Sequence, residues 1–226
     1  MPTVLVTGAN RGIGLEFVRQ YAAEGWRVHA ACRDPDKATE LKAIKGDVRV
    51  HRLDVTDEGQ IDALAKSLAG EPIDILVNNA GVRGLGDSFG STEVAGWMET
   101  LRVNAIAPVR VAERLIVNLE RGQRKLIVNI TSRLGSIAEN NSGTSYAYRS
   151  SKAALNMAAK CMSIDLKDRG ITVVVFHPGW VQTDMGGGQA PVSAPDSVSG
   201  MRAKIAKLTA ADSGHFFNYT GQPIPW

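Results

Sequence analysis

The chain has 226 residues, 44% hydrophobic and 22% charged, which suits one large domain burying roughly 70% of its unfolded surface. Its 26 basic and 23 acidic residues leave a formal charge of +3, and the basic ones are scattered, which argues against nucleic acid as a partner. No apolar run approaches the ~20 residues of a membrane helix, and Met1-Pro2-Thr3 leads straight into a strand pattern, so neither a membrane span nor a signal peptide is expected. Cys32 and Cys161 stand apart among apolar neighbours and read as buried free thiols of a cytoplasmic protein, with no disulfide and no metal site.

Residues 2–7 form a short apolar run of the kind a strand buried on both faces shows. It breaks at Gly8-Ala9-Asn10-Arg11-Gly12-Ile13-Gly14, after which Leu15, Phe17, Val18 and Tyr21 carry a helical period. Gly8, Gly12 and Gly14 therefore sit in a strand-to-helix turn, where backbone N–H groups and a helix N-terminus can approach a phosphate with no Cβ in the way. A second strand covers 27–32 and ends at Arg33-Asp34-Pro35. In doubly wound folds this position faces the adenosine ribose. An acidic group there bonds the 2′-hydroxyl of NAD, and a basic one accepts the 2′-phosphate of NADP. Arg33, with Arg11 reaching from the glycine turn, makes a phosphate clamp and favours NADP; the bland alternative pairs Arg33 with Asp34 or Asp36.

Strand three covers 48–53 and ends at Asp54-Val55; a helix capped near Thr56-Asp57 follows, with Ile61, Leu64, Ala65 and Leu68 on its inner face. Strand four, 73–77, ends at Asn78-Asn79-Ala80-Gly81, beside the glycine turn and at the end of the sheet where α/β proteins bind ligands. A mobile loop is expected from Arg83 to Gly90, with Gly84 and Gly86 inside it. From Thr92 to Glu120 the pattern is helical, broken or kinked by Pro108, and Asn104 in its middle needs a hydrogen-bond partner if buried. Strand five, 125–130, is followed by Thr131-Ser132-Arg133-Leu134-Gly135.

The next helix is expected to begin near Tyr146, capped by the Ser and Thr residues ahead of it, and to run to Arg169. Residues four apart share a helix face, so Tyr148 and Lys152 stand side by side, whereas Tyr146 meets Ser150. An ammonium beside a phenol favours the phenolate and suits the pair to proton exchange, although a Tyr four before a Lys is also common on solvated helices. Strand six, 171–176, ends at His177-Pro178-Gly179-Trp180-Val181-Gln182-Thr183; His177 reads as packing or capping. Gly186-Gly187-Gly188 reads as a flexible connection, 196–208 as a final helix and 214–219 as a last strand. Alternating strands and helices without a linker or repeat give one domain over 1–226: a doubly wound parallel α/β sheet of about seven strands, helices on both faces.

Taken together, Thr7-Gly8-x3-Gly12-Ile13-Gly14, Asp54, Asn78-Asn79-Ala80-Gly81, Asn104, Ser132, Tyr148-x3-Lys152 and Pro178-Gly179-x3-Thr183 resemble the short-chain dehydrogenase/reductase family over essentially the whole chain. The Cys-Arg-Asp-Pro segment, the long Ser132–Tyr148 loop and the Ile-Pro-Trp tail look most like its C-factor-like carbonyl reductases. The resemblance implies reduction of a small-molecule carbonyl, or oxidation of the alcohol, with an NADP cofactor. Tyr148 would be the acid or base, with Lys152 lowering its pKa and bonding the nicotinamide ribose. Ser132 would bond the substrate oxygen, and Asn104 would hold a water leading from Lys152 to solvent. Cofactor contacts would come from the Gly8, Asn10, Arg11, Gly12, Ile13 and Gly14 turn, from Arg33, and from Asp54 and the Val55 amide at adenine. Asn79, Ala80 and Gly81 would lie on the adenosine side, and Pro178, Gly179, Val181 and Thr183 at the carboxamide. Ser136 or Ser145 compete for the serine role, because the Ser132–Tyr148 interval is longer than usual.

The short segment after Thr183 lacks the helical lid many relatives carry, so an open pocket is expected. A nucleotide-sensing or signalling protein that keeps the fold without turnover is the alternative; a nucleotide-sugar epimerase would need a larger C-terminal part. The Tyr148 helix carries more small and apolar residues than one buried face requires, and relatives pair through it, so a homodimer or homotetramer is expected. Light scattering that gives the monomer mass at micromolar concentration would defeat that expectation.

Overall fold

The computed structural model describes residues 1–84 and 87–226; Leu85 and Gly86, the latter expected in the mobile loop, lie outside the described residues. The strands are β1 (Thr3–Thr7), β2 (Arg27–Cys32), β3 (Val48–Arg52), β4 (Ile75–Asn78), β5 (Leu126–Ile130), β6 (Thr172–His177) and β7 (Phe216–Asn218). They form one parallel sheet in the order β3-β2-β1-β4-β5-β6-β7. Sequential strands run outward from β1 to β3, and the chain then crosses back to β4 on the other side of β1. The strand order reverses there, and the carboxyl ends of β1 and β4 part to leave a crevice.

Period-two alternation sorts the apolar runs between two cores. Val4 and Val6 of β1 and Val174 and Phe176 of β6 face one cluster, shared with Phe17 and Val18 of α1 (Gly12–Ala23) and Met201 of α8 (Ala194–Ala206). Leu5, Val173 and Val175 face the other, shared with Ile61 and Leu64 of α3 (Glu58–Ser67), Val111 of α5 (Ala107–Arg114) and Ala159 of α7 (Tyr146–Asp165). Burying each larger side chain contributes roughly 1.5–3 kcal/mol, and layers on both faces are why the runs are apolar throughout. The remaining helices are α2 (Thr39–Lys42), α4 (Val94–Leu101) and α6 (Ile116–Arg121). None of the described helices is long and apolar enough to cross a membrane.

Element ends differ from expectation for local reasons. β4 starts late because the Ile73 amide bonds to Asn118 O at 3.0 Å and not to a neighbouring strand. α7 stops at Asp165, and a tighter turn over Lys167–Arg169 closes on Gly170 in the left-handed region. α8 begins at Ala194, since Ser193 Oγ accepts from the Asp196 amide at 3.1 Å and Pro195 suits a first turn. The long helix expected over 92–120 is in fact α4, a π-helical turn over Arg102–Ile106, α5 and α6. Cys32 is buried as expected, but Cys161 is exposed on the outer face of α7, with Met157 and Ile164.

Candidate active site

Thr7 at the end of β1 stitches the parting strands: its Oγ1 accepts from the Asn79 and Ala80 amides, both at 3.1 Å. Asn79 Nδ2 donates back to Thr7 O at 2.9 Å and Gly8 O at 3.1 Å. Asn79 is thereby a strut of the crevice as well as part of its wall. Gly8 turns the chain with φ +63, and a Cβ there would lie 2.9 Å from Ala80 Cα, so only glycine fits. α1 then begins at Gly12 with no side-chain cap from Arg11, leaving its first amides turned to the crevice.

The crevice has a volume of about 430 Å³, within the usual range of ligand sites. Gly8, Asn10, Arg11, Gly12 and Ile13 line it from the first turn, Arg33, Asp54 and Val55 from the ends of β2 and β3, and Asn79 to Gly81 from β4. Tyr148, Lys152, Pro178 and Thr183 line the far end. Gly14, Gly179 and Val181 do not reach it. Gly14 packs against Gly8 O and Asn79, Gly179 against the Tyr219 ring, and Val181 is buried, bridging to Val192. These three shape the wall from behind. The lining also includes Cys32 and Asp34 of the Cys-Arg-Asp-Pro segment, and Val82, Glu99, Asp184 and Met185, whose sequence positions carry no motif.

At the end formed by β2 and β3, Arg33 has no carboxylate partner among the described residues. Asp34 pairs with Lys37 at 3.2 Å, and Asp36 with Arg52 at 3.1 Å. Arg11 is not free: it pairs with Asp184 at 2.9 Å across the mouth. Burial pushes the Asp54 carboxyl up, but the Thr56 amide and hydroxyl and the charges of Arg33 and Arg102 bring it below its ordinary value.

At the other end, α7 holds Tyr148 and Lys152 on one face, the Lys152 ammonium 5.8 Å from the Tyr148 ring centroid. Lys152 Nζ donates to Ile130 O at 2.9 Å, and burial pulls its pKa down to about 8. The Tyr148 pKa is raised, not lowered as expected from its lysine. Burial pushes it up, while the adjacent Ser132 hydroxyl and the charge of Arg83 hold it back. The start of α7 is not capped by its own Ser and Thr. Ser145 sits in the left-handed region without a side-chain cap, and Asp87 takes over. Asp87 Oδ2 accepts from the Ala147 amide at 3.0 Å and Asp87 O from the Ser145 amide at 2.7 Å. The loop expected to be mobile is anchored at this buried carboxylate.

Ser132 ends the segment after β5, buried beside the phenol, and its Oγ caps the turn Arg133–Gly135 by accepting from the Leu134 amide at 3.2 Å. The competing serines lie elsewhere. Ser136 Oγ donates to Pro225 O at 2.7 Å, next to a bond from the Ala138 amide to Trp226 O at 3.0 Å, and Ser145 begins the helix. Asn104 is fully buried in the π-helical turn. Its Oδ1 accepts from the Val82 amide at 2.8 Å, and its Nδ2 donates to Val82 O at 2.8 Å and Ser151 Oγ at 3.0 Å. This joins the loop after β4 to α7. Gly186 to Gly188 are no loose connection: the Gly186 amide bonds to Thr183 Oγ1 at 3.1 Å and Gly186 O accepts from Trp180 Nε1 at 2.7 Å.

A proton donor, a buried ammonium and a hydroxyl thus converge at one end of a nucleotide-sized crevice. A family model described as short chain dehydrogenase matches residues 2–191. This chain belongs to the short-chain dehydrogenase family. C-signal of Myxococcus xanthus is 47% identical to it over 164 residues, 73% of this chain and 99% of the relative. An NADPH-bound carbonyl reductase from chicken fatty liver superposes with TM-score 0.94 at 36% identity, over 100% of this chain and 99% of that one. The carbonyl reductase Sniffer of D. melanogaster superposes with TM-score 0.95 at 32% identity, over the whole of both. The family and its carbonyl reductase neighbours are those the sequence resembles.

Proposed function

We propose that this short-chain dehydrogenase is an NADP(H)-dependent carbonyl reductase, reducing a ketone or aldehyde to an alcohol or running the reverse. The observation that carries the reading is the Ser132, Tyr148 and Lys152 cluster at the end of a crevice whose other end presents Arg33. The residues fit a dinucleotide: the uncapped start of α1 suits phosphate, and the glycine at position 81 keeps the crevice clear, since a Cβ there would lie 3.2 Å from Asn104 Oδ1 and 3.6 Å from Lys152 Nζ. The bound nicotinamide supplies or accepts the hydride.

Tyr148 gives its proton to the developing alkoxide, and Ser132 donates a hydrogen bond to the same oxygen. Lys152, with a pKa near 8, stands ready to pass protons to the phenol from behind. The Asn104 amide is fully engaged with Val82 and Ser151, so the water-holding role falls to its main-chain carbonyl. Pro108, four residues on, has no N–H to bond that carbonyl in α-helical fashion, and the π-helical turn widens the backbone there.

NADP is favoured over NAD because Arg33 faces the ribose end unpaired while Asp34 is held by Lys37. Arg11 joins Arg33 only by exchanging Asp184 for phosphate. A second reading, a signalling role without needed turnover, has the likeness to C-signal in its favour. Titration with NADPH and NADH, followed by nicotinamide fluorescence, and then a panel of carbonyl compounds tests the first. Tighter NADPH binding, by about tenfold or more, together with oxidation by a panel member, is the expected result. Equal or NADH-favoured binding would put Asp34 on the ribose, and no binding of either would sink the catalytic reading.

A further inference from the structure

Two arginines directly follow residues already placed at the site: Arg83 follows Val82 of the crevice lining, and Arg133 follows Ser132. Their surroundings differ. Arg133 is paired with Glu139 at 3.0 Å. Arg83 has no carboxylate within ion-pair distance among the described residues; its Nη1 reaches Met185 O at 3.4 Å, on the opposite lip of the crevice. That contact is long and neutral, and the guanidinium remains exposed.

The stem of Arg83 is nevertheless well placed. Both backbone polar groups of Val82 are bonded at 2.8 Å by the buried Asn104 side chain, so the chain enters Arg83 from a fixed point. The charge is close enough to Tyr148 for the phenol to respond to it. Of the carboxylates that line the crevice, Asp184 is committed to Arg11 at 2.9 Å, Glu99 to Arg102 at 3.8 Å and Asp34 to Lys37 at 3.2 Å, while Asp54, at the end of β3, is held by the Thr56 amide and hydroxyl. A positive charge without a carboxylate partner among the described residues therefore stands at the lip of the crevice, on the residue after Val82 and against Met185, both of which line it together with Tyr148. A guanidinium is a rigid fork of N–H donors matched to carboxylate, sulfonate and phosphate oxygens. At the rim of a crevice such a charge acts on recognition and encounter more than on the chemical step.

We propose that the substrate of this enzyme is a carbonyl compound bearing an anionic group, and that Arg83 binds that group while the carbonyl faces Tyr148 and Ser132. The assignment rests on the carbonyl reductase reading above and deepens it by naming the substrate class. Arg83 selects substrate and takes no part in the hydride step. Met185, across the lip, gives up its long bond when the anion arrives.

The test compares para-carboxybenzaldehyde with its neutral methyl ester in the wild type, Arg83→Met and Arg83→Lys, with NADPH as reductant. The two aldehydes share one reacting carbonyl, so any effect of Arg83 on the Tyr148 phenol cancels in the ratio of their kcat/KM values. The wild type is expected to favour the acid by at least about fivefold. Arg83→Met should bring the ratio near one, Arg83→Lys should keep part of it, and raised salt should erode the wild-type preference. A wild-type ratio at or below one, or a ratio that Arg83→Met leaves unchanged, overturns the assignment. If neither aldehyde is reduced, the carbonyl reductase reading is decided by the wider carbonyl panel. The anion site is then judged by calorimetry of para-hydroxymethylbenzoate and its methyl ester binding to the protein with NADP. Tighter binding of the acid that depends on Arg83 supports the site, and no preference for the acid removes it.

Discussion

Tyr148→Phe is expected to lower turnover by at least about 100-fold with every carbonyl compound the wild type reduces, the usual contribution of a positioned acid being 10²–10⁴. The ring keeps its place: it is held on α7 beside Lys152, and phenylalanine fills the same volume. What disappears is the one hydroxyl able to protonate the alkoxide next to Ser132. The Lys152 ammonium stays bonded to Ile130 O at 2.9 Å, with no phenol left to relay its proton. NADPH affinity should change by less than about tenfold, the value of one hydrogen bond. Stopped-flow turnover and fluorescence titration on one preparation read both quantities. A variant that still reduces carbonyls at near wild-type rate would remove Tyr148 from the mechanism; lost turnover with an intact signalling output would favour the second reading.

Gly135→Ala should damage stability and activity together, although the residue touches no ligand. A Cβ at 135 would lie 2.8 Å from both the carbonyl carbon and the Cβ of Lys152, and 3.0 Å from the Ala153 amide nitrogen. Those atoms belong to the backbone and stem of α7 and cannot rotate away. The turn is pulled onto the helix by Asn156, whose Nδ2 donates to Gly135 O at 3.2 Å while its Oδ1 accepts from Thr131 Oγ1 at 2.7 Å. A methyl group in this joint must part the segment carrying Ser132 from the helix carrying Lys152. The expected cost is about 1–3 kcal/mol of stability, with a loss of roughly tenfold or more in kcat/KM from misplaced groups. Thermal unfolding and steady-state kinetics measure the two. Wild-type values in both would show that the joint is looser than its geometry.

The features legible in the sequence are those with a local cause. An apolar run ending in Gly8 and opening a helix can be read from a dozen residues, because backbone conformation and burial are written into them. The same holds for Tyr148 and Lys152, whose spacing meets the helix period. Cys161 shows where neighbours in sequence mislead. Leu155, Ala159 and Met162 set the buried phase of α7, and Cys161 falls off it despite apolar residues on either side. The kink over 92–120 was partly legible, since Pro108 signals a break, but the wider π-helical turn lies just before it, around the carbonyl that Pro108 cannot bond. Contacts between distant residues left no trace. Asp87 caps a helix that begins nearly 60 residues later, and Arg11 meets Asp184 only because the turn after β1 and the segment after β6 close over one crevice. The His29–His51 contact at 2.9 Å is of the same kind, set by the β2–β3 register.

The bonds from Ser136 and Ala138 to Pro225 and Trp226 have a practical side. Any polypeptide appended after Trp226, such as an affinity tag or a fused reporter, starts within hydrogen-bonding distance of the loop that follows Ser132. Its drag is applied to the serine turn itself. Met1 is exposed and precedes β1 at the amino ends of the parallel strands, away from the carboxyl ends that form the crevice. Handles for purification or immobilisation belong there.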